Sequence, residues 1–198
     1  MLLEHNTDDI EIILIDDCST DNSIEVIHQI LDELNNFKQD NITIIQHKEN
    51  KGVAYTKQEA LDSSKGEFFI FIDGDDFIPE DYIETLIEYA KSNKALIYNF
   101  RTRLYPCGTT MDLDFTLWNK LFNRRAIDKY NIHFDTSLQN MDDVELWRRV
   151  SDTYPSIMED VMPVNKIIYY YNLLAENTLT HEESLWYQTM DNLKEECR

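Results

Sequence analysis

The sequence predicts an α/β protein in which a mainly parallel sheet is flanked by helices, with a Rossmann-like first half. Three observations predict it. Apolar runs of strand length recur at 11–17, 41–46, 67–73 and 95–100, and they are nearly continuous, as in strands covered on both faces. The stretches between them space apolar residues at three and four positions, the pattern of amphipathic helices. Helix-opening and helix-ending residues fall where the two patterns meet.

Each element follows in order. EIILIDD (11–17) is a strand, and Asn22 with Glu25 forms a capping pair for a helix carrying Ile24, Ile27, Ile30, Leu31 and Leu34. NITIIQ (41–46) is the second strand. After Asn50-Lys51-Gly52, the residues Val53, Ala54, Ala60 and Leu61 mark one face of a short helix that Gly66 ends before the strand EFFIFID (67–73). Pro79 opens another helix, with Glu80 and Asp81 in its first turn and Ile83, Leu86, Ile87 and Ala90 at helical spacing; ALIYNF (95–100) is a further strand. The remainder is less regular. A segment around Trp118 leads to a short helix in NMDDVELWRRV (140–150), NKIIYYYN (165–172) reads as a strand, and Thr180 with Glu183 caps a last helix carrying Trp186, Met190 and Leu193. With no repeat or linker, residues 1–198 read as one domain, divided into 11–100 and 101–198.

Composition narrows the function. At 198 residues and 42% hydrophobic, the chain can bury one good core. A formal charge of -20 argues against nucleic acid or an anionic membrane surface as partner, whereas cations and cation-carrying ligands fit. Cys18, Cys107 and Cys197 have no metal spacing and suggest free thiols in a reducing compartment. The five histidines are scattered, which argues against zinc. No run reaches membrane-spanning length and no signal pattern opens the chain; the expected home is the cytoplasm, including peripheral sites at the inner membrane face.

Acidic residues gather where strands stop. In open α/β sheets the ligand crevice lies beyond the carboxyl ends of the strands, where Asp16, Asp17 and the trio Asp73, Asp75 and Asp76 fall. For IDGDD (72–76) the bland alternative is a solvated turn bent at Gly74; the charge density favours Mg2+ or Mn2+ held by one or two carboxylates and completed by a nucleotide diphosphate. For IDDCSTD (15–21) helix capping explains Ser19 to Asn22 but does not require Asp16 and Asp17, which can accept from a base N–H or a ribose hydroxyl. On a helix over 141–150, Asp143 shares a stripe with Leu146, Trp147 and Val150, while Asp142, Glu145 and Arg149 lie together elsewhere. A carboxylate on an apolar stripe is partly desolvated and suited to accept a hydroxyl proton, although a simple helix cap is the plainer alternative.

These residues carry a resemblance. IEIILIDDCSTDNS and HKENKGVAYTKQEALDSSKGEFFIFIDGDDFIPEDYIETLI resemble the nucleotide-sugar-binding half of family 2 inverting glycosyltransferases, which have the GT-A fold, densely from Ile10 to Ile87. The likeness continues more loosely through LWNKLFNRRAIDKYNIHFDTSLQNMDDVELWRRV, with its Trp-x-Lys-Leu segment and acidic pair on the acceptor side, and is weak beyond Val150. It implies that Asp17 contacts the uracil or other base, that Asp16 supports the nucleotide pocket, and that Asp73 faces the ribose or the metal. It further implies that Asp75, with Asp76 as an alternative, binds the divalent cation, Mn2+ or Mg2+, and that Asp143 is the general base. Trp118 becomes a candidate acceptor platform, with a core tryptophan as the plainer alternative.

The departures are specific. Tyr55, Thr56, Lys57 and Gln58 stand where the family has Ala-Arg-Asn, so Lys57 replaces a guanidinium near the nucleotide. Asp142 replaces a glutamate. The family's first strand and helix have no counterpart before Ile10, which is expected to leave the strands at 11–17 and 67–73 with unpaired edges. The expected function is metal-dependent, inverting transfer of a sugar from a nucleotide diphosphate sugar, a UDP-sugar first, to a hydroxyl of a glycan, lipid-linked or protein acceptor in surface polysaccharide or glycoconjugate synthesis. Its rivals are a catalytically inactive nucleotide-sugar-binding or interaction module and a nucleotidyltransferase, the latter disfavoured by the lack of a glycine-rich basic phosphate loop.

Overall fold

A computed structural model describes residues 9–33, 41–138 and 142–175. The chain forms two compact units, Met1–Glu67 with His133–Asp142, and Phe68–Ile132 with Asp143–Arg198.

In the first unit, β1 (Ile12–Asp16) and β2 (Ile42–Gln46) pair in parallel, in a register running from Ile12↔Ile42 to Asp16↔Gln46. Their connection contains α1 (Ser23–Glu33). Asn22 precedes the first helical residue, as expected for a cap, and its carbonyl accepts from Val26 N at 3.0 Å, while Asp21 Oδ1 accepts from Ser23 N at 3.0 Å in the turn before it. Ile24, Ile27 and Leu31 are half-buried, Ile30 is exposed, and Leu34 lies outside the described residues. The next helix, α2 (Val53–Ser63), buries Ala54 and Leu61 as expected and closes with Ser64 N–H on Ala60 O, before Gly66 is reached.

The second unit holds a five-stranded sheet in the order β3-β6-β4-β5, with β7 along β4. The strands are β3 (Phe68–Phe69), β4 (Ile97–Tyr105), β5 (Thr110–Met111), β6 (Lys120–Asn123) and β7 (Val161–Asn172). The two longest ladders, β4–β7 and β1–β2, are parallel and the three shorter ones antiparallel. Helices α3 (Tyr82–Ser92), α4 (Arg125–Tyr130) and α5 (Asp142–Thr153) and a 3-10 helix at Pro155–Asp160 complete the described elements.

Three expectations shift in length. The strand expected at 67–73 pairs over two residues only, because the chain then turns to β7, where Asp73 N–H bonds the Tyr169 hydroxyl and Phe77 bridges Tyr170. The helix expected from Pro79 begins at Tyr82, since Pro79 O accepts from Tyr82 N in a preceding turn. β4 runs on to Tyr105: Phe100, Thr102 and Leu104 are buried in alternation, a period of two that the apolar run at 95–100 does not reveal.

Among the described residues β1 has β2 as its strand partner and β3 has β6. The helix expected after Thr180 lies outside the described residues. Cys18 is a free thiol, but Cys107 is disulfide-bonded, which corrects the expectation of free thiols there. Sequence spacing carries no information on which cysteines fold side by side. No described helix is long and apolar enough to cross a membrane.

Candidate functional site

In the first unit the parallel register sets the geometry. Asp16 and Gln46 end their strands as partners, so the next residues, Asp17 and His47, leave the sheet side by side, and His47 N donates to Asp16 O at 2.9 Å. Asp16 is buried and both its carboxylate oxygens accept from Ser19 N, at 3.3 and 3.4 Å, closing the turn that follows β1. That turn passes through Cys18 at φ 66, a left-handed conformation uncommon for any side chain but glycine. Asp17 Oδ1 accepts from Lys51 N at 2.8 Å and lies 2.6 Å from His47 Nδ1, while Oδ2 accepts from Gly52 N at 2.8 Å. Burial raises the carboxyl's proton affinity, yet these bonds outweigh it and hold its pKa below the ordinary 3.8. Gly52 itself has φ 89, which suits a residue without Cβ where the backbone turns its N–H toward Asp17. Lys57 Nζ lies 3.1 Å from Asp142 Oδ2, with both side chains largely buried, so a candidate nucleotide contact and a candidate acceptor-side residue form one ion pair.

In the second unit the acidic turn is fastened to β7. The Tyr169 hydroxyl accepts from Asp73 N at 3.1 Å and donates to Asp76 Oδ2 at 2.8 Å. Asn172 N donates to Asp76 Oδ1 at 2.6 Å, and Asn172 Nδ2 donates to Asp75 O at 2.9 Å. Gly74 does not have a positive φ and a Cβ there would meet nothing within 4 Å, so hydrogen bonds rather than glycine shape this turn. Burial, helped by the charges of Asp75 and Asp73, pushes the Asp76 carboxyl up to about 7 despite the bonds from Asn172 and Tyr169. Asp75 is exposed and Asp73 half-exposed, whereas both oxygens of Asp76 face β7.

Asp143 stands in the first turn of α5, half-buried, and its Oδ1 accepts from Val144 N at 2.8 Å. Leu146, Trp147 and Val150 are buried, as the stripe requires, and Arg149 Nε meets Glu145 Oε1 at 2.8 Å on the other face. Trp118 is 7% exposed and stacks on Tyr169 and Tyr171 with centroids 5.8 and 5.5 Å apart.

Four further residues shape these sites in roles that the sequence reading did not give them. His47, Tyr169 and Asn172 hold the acidic turns. Lys120, fully buried, donates from Nζ to Leu113 O at 3.0 Å, Thr116 O at 2.7 Å and Asn119 Oδ1 at 3.2 Å, and lies 5.0 Å from the Trp147 ring centroid. Burial lowers its pKa to about 7, although the charges of Asp114 and Asp143 favour the proton. A lysine inside the run LWNKLF was the available signal.

Whether a divalent cation fits is decided by donor chemistry. No described group of three or more His, Cys, Asp or Glu residues could hold a metal by itself. Asp73 and Asp75, one residue apart on the fastened turn, offer hard oxygen donors of the kind that Mg2+ or Mn2+ combines with phosphate oxygens and water. The residues therefore fit a cation that arrives with a diphosphate.

Comparison with known proteins first defines the fold. A crystal structure of residues 1–349 of Staphylococcus aureus TarS in complex with UDP-GlcNAc matches with a TM-score of 0.72 over 96% of this chain and 58% of that one, at 15% identity, giving a GT-A glycosyltransferase fold. The family model of glycosyl transferase family 2 matches residues 2–141, and the chain belongs to that family. Glycosyltransferase GlyG of Streptococcus pneumoniae serotype 4 is 32% identical over 142 residues, 66% of this chain and 45% of that protein. The poly(ribitol-phosphate) beta-glucosyltransferase of Bacillus spizizenii is 30% identical over 89 residues, 44% of this chain and 13% of its own length. The chain thus spans less than half the length of these relatives.

Proposed function

We propose that this chain binds a UDP-sugar with Mn2+ or Mg2+ and passes the sugar, with inversion, to an acceptor hydroxyl during bacterial surface polysaccharide or glycoconjugate synthesis. The observation that carries the reading is the turn at 73–76, which β7 holds through the Asp73 and Asp75 backbone and the Asp76 carboxylate, while the Asp73 and Asp75 carboxylates offer hard donor oxygens. Asp75, with Asp73, is assigned to the cation; Asp76, whose oxygens already accept from Tyr169 and Asn172, is assigned to holding the turn. A bound cation supplies charge that stabilises the departing diphosphate.

Asp17 is assigned to the base and Asp16 to the turn beside it. Lys51 N, Gly52 N and His47 occupy three of Asp17's four lone-pair sites among the described residues, leaving one acceptor site on Oδ2. One site suits the single N3–H of uracil better than the paired donors of guanine. The relative and the solved structure whose names carry poly(ribitol-phosphate) and UDP-GlcNAc support the same donor and a polyol or glycan acceptor. Lys57 is assigned, through its pair with Asp142, to keeping that stretch in place.

Asp143 is assigned as general base: it takes the acceptor's proton as the oxygen attacks the anomeric carbon, and the bond to the diphosphate breaks in the same displacement, which inverts the centre. Its half-buried place on the stripe of Leu146, Trp147 and Val150 supports this assignment. Trp118 is assigned to the core beneath this region, where its stacking partners Tyr169 and Tyr171 lie. The reaction is assigned to the cytoplasm, where activated donors are made, including the inner membrane face.

Calorimetric titration with UDP, with and without Mn2+, tests the reading. Binding that needs the metal and disappears in Asp75→Ala is the expected result. Equal binding by that variant removes Asp75 from the cation site.

A further inference from the structure

His47 is a buried histidine held between two carboxylates. Its Nδ1 lies 2.6 Å from Asp17 Oδ1 and its Nε2 2.5 Å from Glu59 Oε2, and its side chain is 3% exposed. Both ring nitrogens therefore face acceptors. Only the imidazolium carries a proton on each nitrogen; a neutral ring turns one lone pair toward one carboxylate. The other neighbours are the Tyr55 ring from α2, edge-on at 5.8 Å between centroids, and the charge of Lys51, which opposes protonation.

The same Asp17 oxygens receive the Lys51 and Gly52 amides, so three segments meet on one carboxylate: the end of β1, the turn at 47–52 and, through His47, Glu59 of α2. We propose that His47, locked by Glu59, is a positioning residue that fixes the Asp17 carboxylate and the 47–52 turn for the nucleotide base. This rests on the assignment of Asp17 to the base.

The sign of the pH dependence follows. Burial disfavours the imidazolium, but its bonds to Asp17 and Glu59 prevail and raise its pKa above the ordinary 6.5. The clamp is therefore complete below that ordinary value and is lost as pH rises through the raised one. At the acid end it persists until Asp17, held below 3.8, takes up a proton.

The test compares the wild-type chain with Glu59→Gln, a half-exposed change that keeps an acceptor but removes the charge. In the ligand-free protein, the His47 ring is titrated by NMR while the exchange protection of the Lys51 and Gly52 amides is followed. Protection should fall with the His47 midpoint, and both should move to lower pH together in Glu59→Gln. UDP should bind the wild type about tenfold more tightly near pH 7, the scale of one charge-assisted hydrogen bond, with the two proteins converging near pH 5.5 and pH 9. Amide protection that ignores the His47 titration overturns the proposal, whether or not UDP binds. Coupled titration with no UDP binding at any pH supports the clamp and instead removes the donor assignment of Asp17.

Discussion

Asp143 and Asp17 illustrate how differently one residue type behaves in two settings. Asp17 accepts from two backbone amides and an imidazole and stays ionised, whereas Asp143 accepts from the adjacent Val144 amide on a stripe of buried Leu146, Trp147 and Val150. Asp143→Asn is expected to lower kcat by about 10²–10⁴-fold, the usual weight of a general base, while the Kd for donor stays within about twofold. Steady-state kinetics beside UDP titration checks it; retained turnover rules Asp143 out as base. The acidic clusters were legible from sequence because they directly follow apolar strand-length runs, where the ligand crevice of an open α/β sheet lies. Their partners were not: that His47 reaches Asp17 depends on the β1–β2 register, and that Asp76 faces β7 depends on Tyr169 and Asn172, more than 90 residues away.

At the level of elements, the acidic turn owes its order to β7. Tyr169→Phe removes the hydroxyl that serves both Asp73 N–H and Asp76 Oδ2, and leaving such partly buried groups without this partner costs about 1–3 kcal/mol. An unfolding free energy lowered by that amount in a urea titration is expected, with the metal-dependent part of UDP binding weakened more than the metal-free part. Unchanged stability would mean that Asn172 alone holds the turn. Element types were readable from hydrophobic period, since α5 buries Leu146, Trp147 and Val150 and α2 buries Ala54 and Leu61 of the four residues its spacing selects. Lengths were less so. Ladder ends are set by partner strands, which is why 67–73 shrank to Phe68–Phe69 and β4 extended through the alternating RTRLY.

A buried base works the other way round from a raised acid. Lys120 holds its proton less well folded than unfolded, with its pKa lowered from 10.5 to about 7 by burial. The unfolded chain therefore binds more protons between those values, and stability should rise with pH across that window, by roughly 2–4 kcal/mol after allowing for relaxation. Lys120→Met should be less stable near pH 7, because the Leu113 and Thr116 carbonyls lose their donor, and should lack this slope. Urea titrations at pH 7 and 9 compare the two proteins; parallel slopes would show that Lys120 remains charged in the fold.

Across the whole molecule, the charge of -20 sets a background against which each local pairing acts. Self-repulsion of this size is screened by salt, so raising ionic strength from about 0.02 to 0.5 M should lift Tm by about 2–5 °C. A Tm that stays flat or falls would mean that the ion pairs Lys57–Asp142 and Arg101–Asp112 contribute more than the repulsion. The order of synthesis adds a second consequence. Asp76 and Tyr169 are 93 residues apart in the chain, so a ribosome releases the acidic turn long before the strand that fastens it. A nascent chain that has emerged only through β6 carries the carboxylates without the lattice that aligns them. The acidic turn is then fastened late, when β7 closes onto β4, and under the proposed assignment of Asp75 an unfinished or C-terminally clipped chain is expected to bind neither cation nor donor.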